Sequence, residues 1–155
     1  MKLTIIKSNV DKILSSIENK EEVINITAIK CNLDNIPNVL DFPNLKVLDL
    51  SYNNISSLEN LPNSIEYLNL QHNQIEYFED LEFPPSLVYL NFNGNKASNK
   101  IQYRSKLIKQ IKKTCREFKY LDNVPIKLRY AEMPININKF DKIMDFTYEM
   151  FGEDF

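Results

Sequence analysis

At 155 residues and 43% hydrophobic composition, the chain is long enough to bury one full core. Its two glycines are too few for a Gly-rich phosphate loop or a dinucleotide fingerprint, and two cysteines far apart, Cys31 and Cys115, exclude a disulfide-stapled scaffold. A net charge of −2 conceals a strong segregation: from Lys96 to Lys119 nine basic residues are opposed only by Glu117, so that segment carries +8 and the remainder about −10.

The first residues, Met1 to Lys7, lack the apolar stretch of a signal peptide, and no run reaches the length of a membrane-spanning helix. A cytoplasmic protein with no membrane partner is the expectation, and a nuclear one is equally compatible. Leu3 to Lys7 reads as a short strand. Ser8 or Asn9 then suits the N-cap of a helix with Val10, Ile13, Leu14 and Ile17 on one face. Residues 1–22 are expected to cover the first coil of a repeat that begins at Val23.

Four segments align on L-x-x-L-x-L-x-x-N-x-L: Val23–Leu33, Leu45–Ile55, Ile65–Ile75 and Leu87–Ala97. Their starts are 22, 20 and 22 residues apart, and Phe118 opens a shorter fifth copy, FKYLDNVPI. Alternating inward residues such as Leu48 and Leu50, Leu68 and Leu70, and Leu90 and Phe92 suit short strands with one buried face. Asn53, Asn73 and Asn95 hold the ninth position, where an amide can satisfy buried backbone groups, and Cys31 holds it in the first copy as a buried packing residue. Leu33, Ile36, Val39 and Phe42, then Ile55, Leu58 and Leu61, then Ile75, Phe78 and Leu81 recur every three residues, as 3₁₀ or irregular return turns require. Pro43, Pro62, Pro84 and Pro85 precede strands without interrupting them. From Glu22 to Ile126 the pattern resembles the leucine-rich-repeat superfamily.

Beyond the repeats, Ser98 or Asn99 opens an expected helix running to Cys115, with Ile101, Leu107, Ile108, Ile111 and Cys115 on its apolar face. Tyr103-Arg104 before that helix's core and Tyr120-Leu121-Asp122 after it resemble the C-terminal cap of the acidic nuclear phosphoprotein and spliceosomal A-prime family. The helix between them reads about one turn longer than in that cap. After Pro134, Phe140, Ile143, Met144, Thr147, Met150 and Phe151 fall at helical spacing among Asp141, Asp145 and Glu149, an amphipathic tail suited to docking on its own domain, binding another protein or pairing two copies. The expected fold is α/β: a short right-handed leucine-rich-repeat solenoid with a parallel concave sheet, helical caps at both ends and a C-terminal helical tail. The divisions are 1–22, 23–97, 98–130 and 131–155.

No Ser-His-Asp set, metal cluster or phosphate loop is visible, so the expected function is non-catalytic, without cofactor or metal. Across the concave face the third repeat position reads Asn25, Val47, Tyr67, Tyr89, Tyr120 and the fifth reads Thr27, Asp49, Asn69, Asn91, Asp122. Three tyrosines in register form a ladder suited to an interface, although tyrosines also suit strands for their own packing. Tyr52 and His72, the only histidine, flank them at the eighth position. The expected partner-binding set is Asp49, Tyr52, Tyr67, Asn69, His72, Tyr89, Asn91, Tyr120 and Asp122, on five strands spanning ~20–25 Å, room for a helix or peptide of another protein. The alternative is a nucleic-acid-binding or ribonucleoprotein component using the basic cap helix.

Overall fold

The computed structural model describes residues 1–6 and 8–126. Lys7, the end of the predicted first strand, and the predicted tail lie outside them. Among the described residues the strands are β1 (Lys2–Ile6), β2 (Asn25–Ile29), β3 (Val47–Asp49), β4 (Tyr67–Asn69), β5 (Tyr89–Asn91), β6 (Tyr120–Leu121) and β7 (Val124–Pro125). They form one sheet in sequence order, parallel from β1 to β6, with β7 folding back antiparallel on β6. The register stacks Ile26, Leu48, Leu68, Leu90 and Leu121 in one inward column, each fully buried. Burying each such side chain stabilises the fold by ~1.5–3 kcal/mol, so the leucine period holds the stack together.

Parallel strands need a long crossover, and each return segment supplies it with an apolar rung. Val39, Phe42, Ile55, Ile75 and Phe78 are buried, while Leu33, Leu61 and Leu81 are half-buried at its edge. The returns are irregular turns rather than 3₁₀ helices. Their polar backbone is satisfied by the asparagine column. Asn73 Oδ1 accepts the Ile55 N–H at 2.9 Å, and its Nδ2 donates to the carbonyls of Leu50 and Leu70 at 2.9 and 3.1 Å. Asn53 and Asn95 repeat this arrangement one coil before and one coil after. Cys31, in the same column, is half-buried rather than buried. Its thiol faces the carbonyls of Ile5 and Ile29 at 3.5 Å, because only β1 lies beyond it.

Helix α1 (Val10–Ser15) begins at Asn9, whose side chain accepts the Lys12 N–H, and it buries Val10 and Leu14. At the other end the single helix expected from Ser98 to Cys115 is divided. A 3₁₀ turn, Lys96–Asn99, ends in an extended Lys100, and Gln102 takes φ 59° before α2 (Tyr103–Ile111) starts. The cause is Ala97, which is still the eleventh residue of the fourth repeat. It is fully buried and its N–H donates to the Ile75 carbonyl at 3.0 Å, which ties the 3₁₀ turn to the third coil, and the left-handed Gln102 then separates that turn from α2. Ile101 is consequently 85% exposed rather than on the apolar face. Cys115 follows the expected burial. Its thiol donates to the Pro84 carbonyl at 3.1 Å, and burial pushes its pKa up, away from the reactive thiolate.

Candidate functional site

The strands set two rows of side chains on the concave face. In the first, the register carries Lys2, Asn25, Val47, Tyr67, Tyr89 and Tyr120 side by side. The rings of Tyr67 and Tyr89 stack at 4.2 Å and 8°. Tyr89 is only 3% exposed, and its hydroxyl donates to Asn123 in the turn after β6. Burial raises the Tyr89 phenol to about 12; burial, then Tyr89 and Asp49, push Tyr67 up as well. Both phenols therefore stay neutral at physiological pH. Tyr67 and Tyr120 remain partly exposed.

The second row holds Thr4, Thr27, Asp49, Asn69 and Asn91 in register. Its carboxylate and amides are engaged within the fold. The Oδ1 atoms of Asp49, Asn69 and Asn91 accept the N–H groups of Ser51, Gln71 and Asn93, two residues on, at 2.9, 3.1 and 3.3 Å. These Asx turns bend the chain out of each strand in the same way. Asn69 Nδ2 also donates to Asp49 Oδ2 at 3.0 Å, and Asn91 Nδ2 to Gln71 Oε1 at 3.3 Å. Asp122 is drawn away from the face altogether. Its Oδ1 accepts the Phe92 N–H at 2.7 Å and its Oδ2 accepts the Tyr103 hydroxyl at 2.9 Å. Arg104 donates to the carbonyls of Leu121 and Val124 at 2.8 and 3.0 Å. The Tyr-Arg and Leu-Asp pairs of the cap thus lock α2 to the closing strand.

The eighth repeat position forms a third row, of which the sequence pattern reveals only half. Lys30, Tyr52 and His72 share a left-handed backbone, with φ of 55°, 58° and 52°, and Gly94 follows at 74°. The Lys30 ammonium sits 5.2 Å from the centre of the Tyr52 ring, and Tyr52 stacks on His72 at 4.6 Å. The His72 imidazole in turn covers Gly94. Tyr52 is 44% exposed, so this ladder presents ring edges to solvent along the rim of the sheet. Lys30 carries no signal as a site residue in the sequence, because its role depends on a left-handed turn that lysine rarely adopts. A Cβ on Gly94 would lie 2.8 Å from His72 Cε1 and closer still to Nδ1. Gly94→Ala is therefore expected to cost about 1–2 kcal/mol through backbone strain and ring displacement. Thermal unfolding reads the stability loss, and a shifted His72 Hε1 proton resonance reads the broken stack.

Between the first two rows, Lys2, Asn25, Thr27, Val47, Asp49 and Tyr67 line a concave cavity of about 220 Å³. It mixes an apolar wall, hydroxyls, an aromatic ring and both signs of charge. A second recess, of about 270 Å³, lies on the cap between Phe78, Glu79 and the lysines Lys106, Lys109 and Lys113 of α2. Its lysines have no aromatic side chain exposed among them, since Phe78 is buried. Among the described residues no three His, Cys, Asp or Glu side chains gather to hold a metal ion, and no helix is long and apolar enough to cross a membrane.

Comparison with known proteins agrees with this architecture. Residues 44–67 match the family described as Leucine Rich Repeat, and residues 62–77 match a second family of the same description. Among solved structures, a chain of the crystal structure of the Drosophila melanogaster SNF/U2A' complex superposes with a TM-score of 0.55 at 19% identity. The match covers 90% of this chain and 74% of that one. At that identity the likeness is one of fold. No curated protein matches the sequence.

Proposed function

We propose that this chain, a member of the leucine-rich-repeat superfamily, is a non-catalytic protein–protein interaction module that holds a helix or short peptide of its partner on the concave face. The observation that carries this reading is the combination of a half-exposed Tyr67 beside a side-chain-sized cavity with the exposed Tyr52–His72 ladder along the rim. Stacked aromatic residues held rigidly by a sheet lose little entropy on binding and present polar edges, which is the composition of interface hot spots. Tyr52, Tyr67 and His72 are the proposed contacts, with Tyr120 at the far end of the row. Asp49, Asn69 and Asn91 shape the surface through their turns, and Tyr89 supports Tyr67 from beneath. A nucleic-acid role for the basic cap is less well supported, because its lysine recess is lined by no exposed aromatic, and the one exposed ring beside the basic segment among the described residues, Tyr77, has the Lys100 ammonium over its face at 3.8 Å.

The test is affinity purification from the native source with the wild-type chain and with a Tyr52→Ala, Tyr67→Ala, His72→Ala variant. A partner captured by the wild type is expected to be lost, or weakened at least tenfold, in the variant. Undiminished capture places the interface on another surface. Tyr89→Ala is unsuited to this purpose, since removing a 3% exposed ring disturbs the fold itself.

A further inference from the structure

The return segments on the side opposite the sheet carry an open groove of about 650 Å³, the size of a binding cleft. Leu40, Leu61 and Leu81 give it an apolar surface; Leu40 is 52% exposed and the other two are half-buried. Glu59, Asp80 and Glu82 stand around these leucines, all exposed. The charge pattern sharpens the contrast. Residues 47–95 contain seven acidic side chains and no lysine or arginine. Elsewhere in or beside that stretch the carboxylates are matched: Glu66 pairs with Lys46 at 2.9 Å, Glu76 lies 3.9 Å from Lys96, and Glu79 accepts the Phe78 N–H at 3.0 Å. The three at the groove have no ion pair with any described residue. Apolar side chains left half in water beside unmatched carboxylates fit a ligand that is apolar on one face and cationic at its edges.

We propose that this groove is a second docking surface, for a basic amphipathic segment of a partner protein. The segment's apolar side chains rest on Leu40, Leu61 and Leu81, and its lysines or arginines meet Glu59, Asp80 and Glu82. The surface is separate from the concave face and does not depend on it.

The probe is a fluorescein-labelled peptide of leucine and lysine patterned as an amphipathic helix, titrated into the full chain and followed by anisotropy. A scrambled peptide of the same composition is the comparison. The patterned peptide is expected to bind at least tenfold tighter than the scrambled one. Glu59→Gln, Asp80→Asn, Glu82→Gln together should weaken it at least tenfold, and Leu40→Ser about threefold. Removing the same charge at exposed Glu18, Glu21 and Glu22 should change it less than twofold, and Tyr52→Ala, Tyr67→Ala, His72→Ala should leave it unchanged. Equal weakening by both charge-removing variants, or none by the groove variant, overturns the proposal. So does a dimer in sedimentation that the groove variant dissociates, which assigns the groove to a second copy. A carbodiimide crosslink within one chain from Glu59, Asp80 or Glu82 to Lys127, Lys139 or Lys142 also overturns it, by giving the groove to this chain's own residues.

Discussion

Asn73→Ala is expected to destabilise the chain by about 3 kcal/mol, and Asn73→Asp by more than about 4 kcal/mol at neutral pH. The asparagine is 2% exposed and makes three hydrogen bonds, all buried. The alanine variant leaves the Ile55 N–H without an acceptor in a dry interior. The Leu50 and Leu70 carbonyls fare better, because Asn53 and Asn95 also donate to them at 2.9 and 2.8 Å. That redundancy keeps the loss near 3 rather than 5 kcal/mol. Aspartate keeps the acceptor for Ile55 but turns a charged oxygen toward those two carbonyls, with no donor to relieve it. Acidification should therefore restore part of the stability of the aspartate variant and none of that of the alanine variant. Asn93→Ala, at an exposed asparagine in the next coil, should stay within about 0.5 kcal/mol. Urea denaturation of the four proteins measures these differences. A loss at Asn73 no greater than that at Asn93 would remove the asparagine column from the account of the fold.

Asp122→Ala is expected to cost about 4 kcal/mol, while Asp122→Asn should be close to neutral. The alanine variant abandons the Phe92 N–H and the Tyr103 hydroxyl together, removes the negative charge beside Arg104, and puts at φ 53° a residue that tolerates the left-handed backbone less well than aspartate. Asparagine retains an acceptor for Phe92, lets the Tyr103 hydroxyl rotate to accept, and tolerates the left-handed backbone. The pH dependence separates the two explanations of the site. Burial raises the Asp122 carboxyl above the ordinary aspartate value, outweighing the hydrogen bonds from Phe92 and Tyr103 and the charge of Arg104. The folded state then holds the proton more tightly than the unfolded state. Relative to Asp122→Asn, the wild type should gain stability as pH falls through the folded pKa, and level off below the unfolded value near 3.9. A wild type that instead loses ground against Asp122→Asn on acidification would show that the paired charge, not its burial, dominates.

Much of this fold is legible in the sequence because two chemical demands recur at fixed spacing. A strand with one buried face needs alternating apolar residues, and a coil that turns inward needs an amide. Leu48, Leu68 and Leu90 answer the first demand, and Asn53, Asn73 and Asn95 the second. What escapes has equally definite causes. Strand β7 is two residues long and contains Pro125, so no pattern marks it, and among the described residues the sheet has seven strands instead of the expected six. The predicted start of the cap helix is a 3₁₀ turn tied at Ala97 to the third coil, cut off from α2 by the left-handed Gln102. Asp49, Asn69, Asn91 and Asp122 read as surface groups because alternation along a strand gives the direction of a side chain and not what it bonds. Of the Lys30–Tyr52–His72 row the repeat marks Tyr52 and His72, but Lys30 escapes, because the left-handed turn that aims its side chain is built from residues with no preference for it.

The hydrogen bonds of the asparagine column reach from one coil to the next and no farther. This bears on how the chain is made. Synthesis delivers roughly 5–20 residues per second, so a coil of this length emerges about every 1–4 s. Closing a loop of comparable size takes far less time, on the order of microseconds or below. Each coil can therefore dock on its finished neighbour before the next one leaves the ribosome. The growing edge of the sheet is bare for seconds at each step, and it is one coil wide throughout.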